Sequence, residues 1–262
     1  MRGRKSGLDK PPWNSVEPPE GPVEARFLRP VVLGETILPY RLLTPVLGVI
    51  PTDERGEVMD AASAARAGFP HLAAWLRDAE AKWAHHATKK ADGSRQFDLR
   101  AQLDHLHKLS VQFATPPLRV AYAKAGTLLA ACVIDDPLPV IDHKAYWASA
   151  RTRDEAHCLT AVLNSETTRT RVAAMQARGQ WGARHVDKLI WELPIPDYDA
   201  RNPLHRGLAR AGARAETLAA AVPLRETAGF RAHRAAIRRA LAGAGIAAEI
   251  DALVARLLAS QS

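Results

Sequence analysis

Residues that could contact nucleic-acid bases are concentrated in the stretch 175–196, MQARGQWGARHVDKLIWELPIP. Guanidinium, amide, imidazole and ammonium groups supply hydrogen-bond donors there, and Gly179 and Gly182 allow turns that other residues adopt less readily. This mixture is typical of a loop that reaches an anionic polymer bearing bases. Alternatively, the stretch is a connector that Trp181 and Trp191 anchor to the core. The candidate contacts are Arg178, Gln180, Trp181, Arg184, His185 and Lys188.

The charge of the chain favours a polyanionic partner. There are 36 Lys and Arg against 28 Asp and Glu, a formal charge of +8. The surplus is uneven, because residues 201–262 contain ten Arg and four acids whereas 31–107 contain nine basic and ten acidic residues. One expected helix near the C-terminus is arginine-rich and either contacts phosphates or forms a solvated face. Its arginines are Arg231, Arg234, Arg238 and Arg239.

Several classes of protein are not supported by the sequence. No run of about 18 apolar residues is present, and the basic start MRGRKSGLDKPP lacks an apolar region after it, so neither a membrane span nor secretion is expected. Cys132 and Cys158 lie in apolar runs and are predicted to be buried thiols in a reducing cytoplasm. Glycine-rich cofactor loops, HExxH and cysteine pairs with metal spacing are missing, so we expect no cofactor and no metal in this chain.

The first half of the chain alternates short strands and helices. Prolines without an apolar period predict an extended lead-in over residues 1–24, and closely spaced prolines allow only short strands over 23–53. Apolar residues three and four apart predict a helix over 59–88, starting near Phe69 and Pro70. A polar loop over 84–97 and a short helix over 98–108 are expected to follow. The pair His105 and His107 in that helix lacks the companions of a zinc site.

Three apolar runs then predict a β-meander, over 118–124, 127–134 and 140–148. The alternation of the third run puts Asp142, Lys144 and Tyr146 on one face, which should meet something polar. The expected DNA contacts from these strands are Arg119, Lys124 and Lys144.

Capping residues predict the remaining helices. Thr152 begins one, Ser165 begins a second that runs through Met175, and Asn202 begins a longer one. Residues 189–193 are expected to form a final strand. Two further helices are expected, separated at Gly243 and Gly245, and the first of them contributes the candidate DNA contacts Arg234 and Arg238.

Three segments, VIDHKAYW, AVLNSETTR and GQWGARHVDKLIWELPIPDYDARNPLH, together resemble the C-terminal target-recognition region of bacterial adenine-specific DNA methyltransferases of restriction-modification systems, which act in phage defence. The resemblance covers residues 22–222. It does not include the catalytic Asn-Pro-Pro-Tyr domain that precedes this region in the family. The tetrapeptide at Lys10 to Trp13 is no substitute, because an ammonium group donates hydrogen bonds and cannot accept one.

The patterns of strands and helices predict an α+β fold with a small mixed or antiparallel sheet and flanking helices over residues 22–200, which the resemblance makes a target-recognition domain. A lead-in (1–21) would precede this domain and a C-terminal helical segment (201–262) would follow it. The implied partners are double-stranded DNA and a catalytic methyltransferase domain or subunit. S-adenosylmethionine would bind only to that catalytic part.

Two other classes of function remain open. Asp135 or Asp136 followed by Asp142, His143 and Lys144 approximates the motif of magnesium-dependent nucleases, an acid followed by Asp/Glu-x-Lys, in which carboxylates hold the metal and the lysine steadies the attacking water. A protein-interaction module built on the C-terminal helices would need no DNA at all. DNA binding without Mg²⁺ and without nicking separates the recognition module from the nuclease.

Overall fold

The computed structural model describes residues 1–5, 9–89, 93, 97–114, 116–124, 129–175 and 189–259, which form the predicted α+β architecture. The strands are β1 (Leu28–Val32), β2 (Ile37–Leu38), β3 (Arg41–Leu42), β4 (Val46–Val49), β5 (Leu118–Ala123), β6 (Ala131–Asp135), β7 (Val140–Ile141) and β8 (Ala145–Ser149). The α-helices are α1 (Ala61–Arg66), α2 (Pro70–His86), α3 (Leu99–Leu103), α4 (Arg153–Asn164), α5 (Glu166–Met175), α6 (Pro203–Ala221), α7 (Phe230–Gly243) and α8 (Ile246–Ala259).

The chain divides into two compact units, and it passes from one to the other three times. Unit 1 consists of residues 1–31 and 47–115, and unit 2 of residues 32–46 and 116–262. This division cuts across the boundaries expected at residues 21 and 200. Unit 2 contains 21 basic and 15 acidic residues, whereas unit 1 contains 15 and 13, so most of the positive charge belongs to unit 2.

In unit 1, the helix predicted over residues 59–88 is two helices, α1 and α2. Gly68 lies between them with a φ of 82°, which ends the first helix because other residues rarely adopt that conformation. Pro70 occupies the first position of α2. The carboxylate of Glu24 accepts hydrogen bonds from the main-chain N–H groups of the next two residues, His71 and Leu72. The start of α2 is thus capped from a distant part of the sequence.

The N-terminal segment folds back on itself, contrary to the extended lead-in expected over residues 1–24. The N–H of Gly3 donates to the carbonyl of Pro19 at 2.8 Å, and that of Gly21 donates to Met1 at 3.0 Å. The ring of Trp13 stacks on that of Trp83 in α2, with 5.5 Å between centroids. The N-terminal segment is therefore a compact part of unit 1 that packs against α2.

Strands β2 and β3 form a two-stranded sheet, and the three-stranded sheet that contains β5 has the strand order β6-β5-β8, so the predicted meander is wrong. Strand β5 pairs antiparallel with β6 on one edge and with β8 on the other. The third run is also not one strand. The Asp142 side chain accepts a hydrogen bond from the N–H of Lys144 at 2.8 Å, closing a turn between β7 and β8. Asp142 and Lys144 therefore do not share a strand face with Tyr146.

The helices of unit 2 begin where the capping residues predict. The side chain of Thr152 accepts from the N–H of Glu155, that of Ser165 from Thr168, and that of Asn202 from Leu204. These contacts satisfy N–H groups that have no partner inside a helix.

A shared core joins the C-terminal helices to the rest of unit 2. Leu208, Ile237 and Val254 from α6, α7 and α8 pack with Val162 of α4 and Leu38 of β2. Both cysteines are buried free thiols, as predicted, and burial raises the pKa of each to about 12. Among the described helices, none has the length and apolar character needed to cross a membrane.

The segment predicted as a final strand is instead a 3₁₀ helix, Leu189–Glu192. A short apolar run fits a strand or a buried helical turn equally well in sequence. Here Ile190 is fully buried, and it packs under the sheet rather than pairing along it.

Candidate nucleic-acid interface

The structure describes five of the predicted DNA-contacting residues, and these five divide between surface and interior. The other six lie outside the described residues, although the residues on either side of their segment, 176–188, are described. The six are Arg178, Gln180, Trp181, Arg184, His185 and Lys188. The five are Arg119, Lys124, Lys144, Arg234 and Arg238.

Residues on both sides of the segment 176–188 are anchored in one apolar core. Val172, one turn before the end of α5, is 3% exposed, and Ile190, two residues after the segment, is fully buried. Both belong to the cluster that contains Tyr122 of β5. The described residues on either side of 176–188 thus pack in the core beside the sheet β6-β5-β8.

Two lysines and a tyrosine lie together at one end of the β5–β8 pair. The N–H of Lys124 donates to the carbonyl of Lys144 at 3.0 Å, which brings the two residues side by side. The ammonium group of Lys124 lies 5.6 Å from the centroid of the Tyr146 ring, a cation–π contact. Tyr146 in turn lies opposite Tyr122, with ring centroids 5.5 Å apart. We call Lys124, Lys144 and Tyr146 the lysine–tyrosine patch.

The lysine–tyrosine patch combines two features that bind nucleic acid, because ammonium groups contact phosphates and aromatic rings stack on bases. Lys144 is exposed and Lys124 is partly exposed. Tyr146 is not among the contacts that the sequence predicts.

The carboxylate of Asp142, beside the lysine–tyrosine patch, stabilises the turn between β7 and β8. Burial raises the pKa of Asp142, but hydrogen bonds from the His143 side chain and the Lys144 N–H lower it by more. The pKa of Asp142 therefore lies below its usual value. His143 is an exposed neighbour, with its Nδ1 at 3.2 Å from the Asp142 carboxylate. Asp142 is therefore an ionised group that fixes the turn presenting Lys144.

Asp135 and Asp136, the other acidic residues of the nuclease hypothesis, also have hydrogen-bonding or ion-pair partners. Asp135 forms an ion pair with Arg153 at 2.6 Å, and Asp136 accepts a hydrogen bond from the N–H of Leu138 at 2.8 Å. Within the described ranges, no group of three or more His, Cys, Asp or Glu residues could hold a metal ion.

Arg119 is an interior residue rather than a surface donor. It is 2% exposed, and its Nη2 donates to the carbonyls of Asp136 at 3.0 Å and Pro139 at 2.9 Å. Those carbonyls belong to the connection between β6 and β7. Arg119 therefore holds that connection against β5, and DNA cannot reach its guanidinium in this structure.

Arg234 has a similar structural role on α7. It is 6% exposed, and its guanidinium donates to the carbonyls of Gly34 and Ile37. Burial lowers the pKa of Arg234 to about 10, and the nearby Arg238 contributes to the shift. The group remains charged at neutral pH, and three hydrogen bonds partly offset the cost of burying it.

Arg238 is half-buried and donates to the carbonyl of Leu129, whereas Arg231 and Arg239 on the same helix are exposed. Burial lowers the pKa of Arg238 as well. The arginines of α7 thus form an inner pair, Arg234 and Arg238, and an outer pair. With 3.6 residues per turn, Arg234 and Arg238 lie about 60° and 100° around the helix from the buried Ile237, whereas Arg231 and Arg239 lie about 120° and 160° from it. This angular distance from Ile237 is the sequence signal for the separation.

A charged cluster joins α4 to α6. The carboxylate of Glu216 accepts a hydrogen bond from Arg153 at 3.0 Å and lies 3.0 Å from Nε2 of His157. The contact with His157 and the hydrogen bond from Arg153 lower the pKa of Glu216, outweighing burial, which raises it. The backbone of His157 also approaches α6 closely at Gly212, where an added Cβ would lie 2.4 Å from the His157 carbonyl oxygen.

No protein-family model matches the chain, and no curated protein matches it significantly.

Proposed function

We propose that this chain is a sequence-specific recognition module for double-stranded DNA, working with an adenine-specific methyltransferase or restriction-modification enzyme. One observation carries the proposal: Val172 and Ile190, which flank the donor-rich segment 176–188 in sequence, pack in the core beneath the sheet that bears the lysine–tyrosine patch. Donors from the sequence between these two residues would contact the groove while the lysines contact the backbone. The resemblance of 22–222 to target-recognition regions supports the same function.

The two parts of this surface have different tasks. Phosphate contacts from Lys124 and Lys144 would position the duplex but carry no sequence information. Base contacts would come from the segment 176–188, since Gln180 can pair bidentately with adenine, and Arg178 or Arg184 with guanine. The positive charge of unit 2 would add long-range attraction to any sequence.

Catalysis is assigned to a partner in this proposal. A methyltransferase domain or subunit would bind S-adenosylmethionine and transfer the methyl group, while this chain selects the site. The complex would act on DNA in the cytoplasm.

The test measures binding of the full chain to a random-sequence duplex by fluorescence anisotropy over a range of salt concentrations. We expect binding in the absence of Mg²⁺ and no nicking when Mg²⁺ is added. The double variant Lys124→Ala/Lys144→Ala should bind more weakly, and its salt dependence should be flatter by up to about 0.9 for each lysine–phosphate interaction that the substitutions remove. The matched control is Arg77→Ala, which removes an exposed charge from α2 in unit 1.

Two results would contradict the proposal. If the chain shows no affinity for duplex DNA at low salt, it is not a DNA-recognition module. If the lysine double variant and Arg77→Ala have the same salt dependence as the unaltered chain, the lysine–tyrosine patch is not part of the interface.

A further inference from the structure

Unit 2 contains a small cavity, and none of the residues that line it belongs to the lysine–tyrosine patch. Its volume is about 190 Å³, which is room for about six water molecules. One part of the lining is polar and another part is apolar. The polar part includes Tyr40, Arg238 and Asp251, and the apolar part includes Leu241, Ala247 and Ile250. We call this site the Tyr40 cavity.

The Tyr40 side chain is almost completely enclosed, yet its hydroxyl group is unpaired. Tyr40 is 4% exposed, and it belongs to the core that contains Leu208 and Ile237. Its hydroxyl forms no hydrogen bond within the described part of the chain. That hydroxyl also keeps accessible surface, unlike the unpaired hydroxyl of Tyr198, which has none. Hydroxyl groups in protein interiors normally have a partner, so an accessible and unpaired one at a cavity is a candidate contact for a ligand.

The backbone of Tyr40 is held in an uncommon conformation. Its φ is 59°, in the left-handed region that aromatic residues rarely adopt. The N–H of Tyr40 donates to the carbonyl of Ala131 at 2.8 Å, which holds this conformation against β6. Strained residues of this kind are concentrated at functional sites. Here the strained residue is the one that contributes the unpaired hydroxyl.

Two opposite charges line the Tyr40 cavity without forming an ion pair with each other. Arg238 donates from Nη2 to the carbonyl of Leu129, and Asp251 accepts through Oδ1 from the N–H of Glu166. Nη1 of Arg238 and Oδ2 of Asp251 have no partner among the described residues. Burial raises the pKa of Tyr40, the charge of Arg238 opposes this rise, and that of Asp251 adds to it. The Tyr40 hydroxyl therefore lies within reach of both charges.

The cavity has no further uncompensated charge among its described residues. Glu166 also lines it, but Nε of Arg169 donates to the Glu166 carboxylate at 2.7 Å and Nη2 makes a second contact. One cation and one anion, Arg238 and Asp251, are left. A ligand with a single charge would match one of them and be repelled by the other, whereas a zwitterion matches both.

We propose that the Tyr40 cavity binds a free α-amino acid with a small apolar side chain. The carboxylate would accept hydrogen bonds from the Tyr40 hydroxyl and from Nη1 of Arg238, and the ammonium group would donate to Asp251. The side chain would lie against the apolar part of the lining. The cavity is smaller than the sites of about 300–1,000 Å³ that hold drug-sized ligands, so a side chain of the size of valine suits it.

The test titrates the full chain by calorimetry with L-valine, D-valine and isovalerate, each up to its solubility limit. Isovalerate has the carboxylate and the side chain of valine but lacks the ammonium group. We expect L-valine to bind about 10-fold or more tightly than isovalerate, the equivalent of one hydrogen bond between charged groups. D-valine should also bind more weakly than L-valine, because it cannot place all three of its groups at once.

Two variants separate the contacts. Tyr40→Phe keeps the ring and removes the hydroxyl, so it should weaken L-valine and isovalerate alike, by about 10-fold, and leave the preference between them unchanged. Asp251→Asn keeps an oxygen that can accept from the first N–H groups of α5 but removes the charge. It should therefore weaken L-valine and largely abolish its advantage over isovalerate. The control Arg239→Gln removes an exposed charge next to Arg238 on α7 and should leave every titration unchanged.

Three results would overturn the proposal: no binding of L-valine, equal affinity for L-valine and either of the other two ligands, or L-valine binding that both cavity variants leave unchanged. Thermal unfolding checks that each variant is folded. If Asp251→Asn fails to fold, Tyr40→Phe and the three ligands still decide the question. The choice of ligand depends only on the residues of the cavity, so the result is independent of DNA binding.

Discussion

Arg234 and Ile37 are joined by two hydrogen bonds, from Nε at 3.0 Å and Nη2 at 2.8 Å of the guanidinium to one carbonyl oxygen. The same Nη2 also donates to the carbonyl of Gly34 at 2.6 Å. One arginine on α7 thus fixes the turn that leads into β2. The sequence analysis predicts that Arg234 contacts DNA, whereas in this structure its side chain stabilises the fold of unit 2.

Arg234→Ala should lower the free energy of unfolding by about 2–4 kcal/mol, because it leaves buried carbonyls without donors. Arg234→Lys should recover only part of that stability, since an ammonium group cannot reproduce the planar fork. Urea unfolding measures both. The control Arg231→Ala removes an exposed arginine three positions earlier and should change stability by less than about 0.5 kcal/mol. A similar effect at both positions would refute the structural role of Arg234.

Two glycines of α6 should respond in opposite directions to the same substitution. Gly212→Ala places a Cβ 2.4 Å from the carbonyl oxygen of His157, so α4 and α6 must separate. We expect the free energy of unfolding to fall by about 2–4 kcal/mol. Gly207→Ala meets only Leu253, at 3.5 Å, and should stabilise by about 0.5–1 kcal/mol through helix propensity. Equal thermal midpoints for the two variants would contradict this packing.

The stability of unit 2 should depend on pH through Glu216. In the folded chain its pKa lies below the ordinary value of 4.5. Its contribution is therefore present above about pH 4.5 and disappears as the pH falls through the lower folded pKa. Glu216→Gln should be less stable than the unaltered chain at neutral pH, and the difference should shrink on acidification. Denaturant unfolding at several pH values tests this, and a constant difference would exclude the stabilising role of the carboxylate.

Substitutions in the segment 176–188 should affect selectivity more than affinity. Gln180→Ala and Arg184→Ala should each lower the ratio of specific to non-specific binding by about 5- to 150-fold, the equivalent of one bidentate base contact. The specific duplex is first selected from a random library. Thermal unfolding of the same variants provides the control. Reduced stability with unaltered selectivity would make the segment a structural connector.

Local signals in the sequence predict helix starts well. Thr152, Ser165 and Asn202 cap helices as expected, since a cap needs only a side chain and the next two or three N–H groups. The order of the strands could not be predicted in the same way. The pairing of β8 with β5 depends on the turn at Asp142 and on packing with distant helices, and an apolar run does not specify its neighbour.

The candidate site shows the same limit. Arg119, Arg234 and Arg239 have the same side chain, and the sequence does not separate buried from exposed arginines. Yet the first two bind main-chain carbonyls inside unit 2 and the third is exposed. Burial is decided by tertiary contacts that the residue type does not reveal. Lys124 and Lys144 are predicted from their strands, but their adjacency follows from the antiparallel register, which also places Tyr146 opposite Tyr122.

Residues 32–46 form hydrogen bonds with residues that are made much later, which has a consequence for synthesis on the ribosome. Ile37 is made 197 positions before its partner Arg234, and Arg41 is made 178 positions before the carbonyl of Ala219 that it binds. Chains are translated at about 5–20 residues per second, so this segment waits on the order of ten seconds or more for its partners. During that interval the buried side chain of Leu38 lacks the residues of α6, α7 and α8 with which it packs. Assembly of this core is therefore a late event, completed only after α8 has been made.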